Sequence, residues 1–169
     1  MEDGKVARWD KGERTVTFLI DRGRLEHFEA NDPAATASAL AERANRRLEA
    51  TAKAALANGD AEGAYAAAYD AYRMAGEALL ARQLLRATGG DGSHMAVEDA
   101  VSAQFASGVP AFAKPVFEQL RRTRHSAQYF DPSSPPITEA DAAWAIGKAT
   151  AALTGARTLL AGGRLDSFA

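Results

Sequence analysis

The chain has 169 residues, 47% apolar and 25% charged, the mix of a globular domain able to bury a real core and not of a disordered chain. Its formal net charge of −2 excludes a global positive field that gathers nucleic acid, so any polyanion must be bound by a local cluster. The lack of cysteine excludes disulfides, a thiol nucleophile and thiolate metal sites. The three histidines, His27, His94 and His125, lie far apart and lack the HExxH spacing of a zinc site. No metal and no cofactor are therefore expected. No apolar run approaches about 18–20 residues. The opening "MEDGKVARWDKGER" has no apolar signal core. The expectation is a soluble, cytoplasmic protein with no membrane partner.

The opening dozen residues are polar and read as loose. "ERTVTFLIDRG" reads as a short helix, with Val16, Leu19 and Ile20 at helical spacing and Gly23 as a stop. The β-branched "TVTFLI" leaves a strand as the alternative. Leu25 and Phe28 form a further apolar pair. Residues 1–32 thus read as an arm with a short helix, and residues 33–169 as a helical bundle.

"NDPAATASALAERANRRLEATAKAALANGD" has the marks of a long helix: Asp32 to cap it, Pro33 in its first turn and Gly59 to close it. Leu40, Ala44, Leu48, Ala52 and Leu56 make a narrow, alanine-rich stripe that a neighbouring helix can approach closely. Asp60 caps the next helix, whose buried side is Tyr65, Tyr69, Tyr72, Leu79 and Leu80. "TGGDGS" breaks the chain. Ser93 is expected to cap a helix through about Ala106 that carries Val97, Val101 and Phe105. After "SGVP" and a possible short turn at 111–114, Pro115 suits the first turn of another helix. "DPSSPP" is a loop. The last helix starts at Thr138, where "TEAD" is a capping box with aspartate in place of glutamate. It carries Trp144, Ile146, Leu153 and Leu159 and stops at Gly162 and Gly163. The fold class is all-α, an up-and-down helical bundle. The narrow stripe on residues 33–57 adds the expectation of a homodimer.

The stretch "RRTRHSAQYFDP", residues 121–132, concentrates chemistry. At about 100° per residue, Val116, Leu120, Thr123, Ala127 and Phe130 fall on the core side. Arg121, Arg122, His125, Gln128 and Tyr129 fall on the other, with Arg124 at the boundary. One reading is a solvated helix face. Against it, no acidic residue lies between Glu118 and Asp131 to pair with three arginines, which favours an anionic ligand.

"YDAYRMAGEALLARQLLRATGGDGSH", followed by "LRRTRHSAQYFDP" and an alanine-rich final helix, resembles the HEPN superfamily, most of all the bacterial SAV-type HEPN proteins. Those proteins carry a "YDAARKA…ALL…QGLR" helix and then an "RRxRNxxEYP" segment. The resemblance covers roughly residues 33–162, and "VTFLIDRGRLEHFEAND" is similar to their lead-in. It implies an all-α bundle, a homodimer, and a place in a toxin–antitoxin or phage-defence system with a cognate nucleotidyltransferase or antitoxin protein as partner.

Active members of that superfamily are metal-independent ribonucleases whose motif is arginine, a polar residue, three residues, then histidine. Arg124 matches the arginine and His125 the polar position, but Tyr129 stands where histidine is needed. With four to six residues intervening, no histidine follows Arg121 or Arg122 either. Histidine titrates near neutral pH and can exchange a proton with a 2′-hydroxyl or a leaving oxygen. Phenols titrate near about 10, so a tyrosine is a poor base at pH 7.

The candidate catalytic set is therefore Arg124, His125 and Tyr129, in a degenerate motif. Arg121, Arg122 and Gln128 are candidates for binding RNA or another anion. Asp70 and Arg73 are read as a structural ion pair, with Arg124 as an alternative partner for Asp70. His94 reads as a cap-region or surface residue, and "TGGDGS" lacks the ending and the preceding strand of a phosphate loop. Tyr65, Tyr69 and Tyr72 read as core and interface aromatics. Three functions stay open: a module binding RNA, a nucleotide or a protein partner; an active ribonuclease toxin; and a structural dimerisation domain.

Overall fold

A computed structural model describes residues 9–90 and 92–168. Most of the loose opening segment, residues 1–8, lies outside the described residues. Trp9 packs against Phe105, with ring centroids 5.3 Å apart. Helix α1 (Glu13–Asp21) settles the helix-or-strand alternative and turns Val16 and Leu19 inward against α5 (Ser93–Phe105).

The chain then forms a strand that the sequence did not announce. β1 (Leu25–His27) pairs antiparallel with β2 (Leu85–Ala87), in the register Leu25↔Ala87, Glu26↔Arg86 and His27↔Leu85. Three residues are too short to display a two-residue period, so the pairing is legible only in three dimensions. Val16, Leu19 and Leu25 belong to the same continuous core as the later helices.

Asp32 caps α2 (Pro33–Arg46) by accepting from the Ala35 N–H at 2.9 Å, with Pro33 in the first turn. The helix runs through a π-helical segment (Arg47–Ala52) into α3 (Lys53–Ala57). An α-helix drifts by about 40° with each step of four residues, so a four-residue stripe slides off its face. The wider π turn brings Leu48 and Ala52 back under the same neighbour as Ala44, and all three are buried. Ala44, Leu48 and Ala52 of the stripe pack inside the subunit, against α4 (Ala61–Arg82) and α7 (Glu139–Ala161), while Leu40 and Leu56 stay partly exposed.

α4 is the centre of the molecule. It packs against α2, α5, α6 (Lys114–Gln128) and α7, and its buried residues include Tyr65, Tyr69, Tyr72, Leu79 and Leu80. Apart from a stripe carrying Asp70, Arg73 and Glu77, α4 is apolar, and such a helix is stable only when largely enclosed. The enclosing walls are small: Ala37, Ala41 and Ala44 on α2, and Ala142, Ala145, Ala149, Ala152 and Ala156 on α7. Leu153 is buried with them, whereas Trp144, Ile146 and Leu159 only flank the core. Thr138 and Asp141 form the full capping box that opens α7. The fold is predominantly helical, and among the described residues no helix is long and apolar enough to cross a membrane.

Two local expectations change. The N-cap of α5 is Gly92, and Ser93 is its first helical residue with no side-chain cap bond. On α6 the buried side is Phe117 and Leu120, and Phe130 is 93% exposed. The helix stops at Gln128 and the backbone at Tyr129 is extended, so helical spacing no longer places residue 130.

Gly12 (φ 72°) and Gly23 (φ 66°) both hold left-handed backbone, but a Cβ on Gly12 would sit 2.8 Å from the Ala103 carbonyl carbon, while one on Gly23 meets nothing. Gly23→Ala should cost about 1–2 kcal/mol, the left-handed penalty alone. Gly12→Ala should cost clearly more, because α1 must move off α5. Thermal melting of the two variants checks this; equal melting temperatures would contradict the close α1–α5 approach.

Candidate functional site

The chemistry singled out on α6 converges with residues from α4 and from the start of α5. An open cleft of about 440 Å³ is lined by Tyr69 of α4, by Gly90, Gly92, Ser93, His94 and Met95, and by Arg121, Arg124, His125 and Tyr129. Arg122 is not part of it. It points to a separate depression near Pro135 and Pro136 and pairs with Glu118 one turn back. Gln128 accepts a hydrogen bond from Arg124 Nη1 at 3.1 Å and so buttresses the cleft.

The expectation that the arginines stand without acids does not hold in three dimensions. Arg121 donates through Nε to Glu98 of α5 at 3.1 Å, and that carboxylate is only 3% exposed. Arg124 Nη2 lies 3.5 Å from Asp70 of α4. The carboxylates come from other helices, which is why a search between residues 118 and 131 misses them.

The proposed Asp70–Arg73 pair is replaced by two others. Arg73 pairs with Glu77 one turn on, and Asp70 faces Arg124, the alternative that the sequence left open. Burial pushes the Glu77 carboxyl up, and the Arg73 guanidinium opposes that rise.

Of Arg121 and Arg124, Arg124 has the longer carboxylate contact, and Gln128 and the Tyr69 ring hold it as well. Its guanidinium lies 5.3 Å from the centroid of the Tyr69 ring, its contact with Asp70 is long, and its buried Nε has no hydrogen-bond partner. Arg121, in contrast, uses its Nε on a buried carboxylate.

His94 is the residue that sequence reasoning passed over. Its Nδ1 is 2.8 Å from the Tyr69 hydroxyl, and the two rings stack with centroids 5.8 Å apart. Burial first, then the Arg73 and Arg124 guanidiniums, lower its pKa, with Asp70 opposing. The neutral imidazole is therefore favoured. Burial pushes the Tyr69 phenol up to about 12, so it stays protonated beside His94. His125 and Tyr129 pack together at 4.7 Å between centroids on the exposed rim, where Tyr129 is 61% exposed. No spacing signal links His94 to α6; only the crossing of α5 over α6 does.

The arrangement can offer Arg124 to a phosphate-sized anion, the neutral His94 imidazole to a proton, and the exposed Tyr129 ring to a planar group. Among the described residues no cluster of His, Asp and Glu could hold a metal ion. No family model, curated protein or solved structure matches this chain.

The ion pairs give a pH-dependent expectation. Burial raises the Glu98 carboxyl, and Arg121 opposes that rise. Arg121→Ala removes the opposition, so the folded-state pKa climbs further above the unfolded one. A group raised in this way keeps its full stability below the unfolded pKa and loses it as pH rises through the folded pKa. Arg121→Ala should thus cost about 3 kcal/mol at pH 7.5 and much less near pH 4.5, where Glu98 takes a proton. The exposed Arg122→Ala should cost less than about 1 kcal/mol at either pH. Melting curves at the two pH values check this, and a pH-independent Arg121→Ala deficit would contradict it.

Proposed function

We propose that this chain is a HEPN-like, homodimeric module of a toxin–antitoxin or phage-defence type system that binds RNA in the α4–α5–α6 cleft. The observation that carries the reading is the convergence of Arg124, Arg121, His94, His125 and Tyr129 on one open cleft. Arg124, whose contact with Asp70 is long, is the guanidinium offered to a phosphate. Tyr129 on the rim supplies a face for a base. The cognate partner, an antitoxin or a nucleotidyltransferase, comes with the family resemblance alone, and the dimer rests mainly on that resemblance.

Fluorescence anisotropy with single-stranded RNA tests the reading. The expected affinity is weak, on the order of 10 µM, and falls as salt rises. Arg124→Ala should weaken it about tenfold, the loss of one charged contact. Absence of binding at low salt would return the cleft to a structural role.

One observation favours a second reading, metal-independent cleavage. His94 and His125 open onto the same cleft as Arg124, so α5 offers a histidine to a cleft whose α6 motif lacks one. A neutral His94 can take a proton from a 2′-hydroxyl. Cleavage of RNA in chelator, lost in both His94→Ala and Arg124→Ala while His94→Ala still binds, supports this reading. Binding without cleavage, with cleavage gained on Tyr129→His, supports the binding module with a degenerate motif.

A further inference from the structure

Four large apolar side chains among the described residues stand well out of the surface: Phe18, Met95, Tyr129 and Phe130. Two of them mark a surface that continues the cleft. Phe18 and Met95 line a shallow groove of about 560 Å³ between α1 and α5, together with Arg22 and Arg24. Gly92 and Met95 line both this groove and the cleft, so the two depressions are contiguous.

We propose that the α1–α5 groove is a second nucleic-acid subsite, which takes the stretch of single-stranded RNA that leaves the cleft over Met95 and stacks a base at Phe18. The inference rests on the RNA-binding reading of the cleft.

The sequence of α1 makes Phe18 an outlier. Val16 and Leu19 turn into the core, whereas Phe18 is 55% exposed. One face of its ring is met by Arg22, whose guanidinium lies 5.2 Å from the centroid. Arg22 makes no ion pair among the described residues, unlike Arg121, Arg122 and Arg124. A ring backed by an uncommitted cation is the combination that binds a stacked base and its phosphate together.

Asp99, the carboxylate in the groove, is held by Lys114 at 2.9 Å, so its charge is matched locally. Met95, half-exposed between the two depressions, gives a polarisable, adaptable surface over which the strand can pass. Charge complementarity to a polyanion and continuity with the cleft favour RNA over an apolar protein segment as the occupant.

The test compares fluorescein-labelled oligouridines of about 4 and about 12 nucleotides by anisotropy, lengths chosen to fill the cleft alone or the cleft and groove together. The unaltered protein should bind the longer one more tightly. Phe18→Ala and Arg22→Glu, both surface changes, should each weaken the longer oligomer about tenfold and leave the shorter one unchanged. Arg124→Ala should weaken both. If both oligomers bind the unaltered protein but Phe18→Ala and Arg22→Glu bind the longer one normally, the subsite is wrong and the cleft reading stands. The same holds if the two variants weaken short and long oligomers alike. If neither oligomer binds the unaltered protein, both fall. Unchanged melting temperatures confirm that the variants are folded, and Arg22→Glu decides if Phe18→Ala is not.

Discussion

The constraint on which the structure depends is the enclosure of α4. Tyr65, Tyr69 and Tyr72 lie on it together with Leu79 and Leu80, and all five are buried. A helix of that kind needs neighbours on several sides, and they must come close. Alanine supplies the closeness. The buried faces of α2 and α7 are almost wholly alanine, so their backbones approach α4, while Tyr69 and Tyr72 pack toward α5 and α6. The π segment in the 33–57 helix serves the same demand, because it keeps Ala44, Leu48 and Ala52 under α4, while Leu40 and Leu56 at the ends of the stripe are only partly buried.

Burying tyrosines creates a second demand for hydroxyl partners, which Tyr69 and Tyr72 meet and the buried Tyr65 hydroxyl does not. Tyr72 donates to the Ala111 carbonyl at 2.7 Å, which pins the 3₁₀ turn (Pro110–Phe112) beneath it. Tyr69 finds His94. That hydrogen bond, together with the buried face of α5, holds an imidazole on the side of α6 that carries Arg121 and Arg124. A histidine that looks like a surface residue in sequence becomes a partly buried wall of the cleft.

Much of the fold could be read from local rules. The caps at Asp32, Asp60 and Thr138, the break at "TGGDGS" and the buried sides of α4 and α5 are signals written within a few residues of where they act. The β1–β2 pair was not legible, because three residues carry no period. Phe130 was misplaced because spacing was extended past a helix end. For the site, the α6 arginines and His125 were legible as a cluster. Their partners were not: Glu98, Asp70 and His94 arrive from α5 and α4, and only packing brings them near. The inference that drew most on sequence distance, that the arginines lacked acids, is the one that three dimensions reversed.

That reversal sets how the cleft can work. A phosphate entering it meets guanidiniums that already have carboxylates. Glu98 is nearly sealed, so it cannot swing away, and Arg121 stays bound to it. Asp70 is 22% exposed and sits 3.5 Å from Arg124, so water or a ligand can come between them. An anion thus meets two guanidiniums that are each shared with a carboxylate, Arg124 less tightly than Arg121. Binding by such a cleft is weak unless further cations lie along the ligand's path. Arg22, free of any carboxylate among the described residues, lies on the groove that continues the cleft. A self-neutralised pocket with an uncommitted cation beyond it suits an extended polyanion better than a small one, because only the extended ligand reaches both.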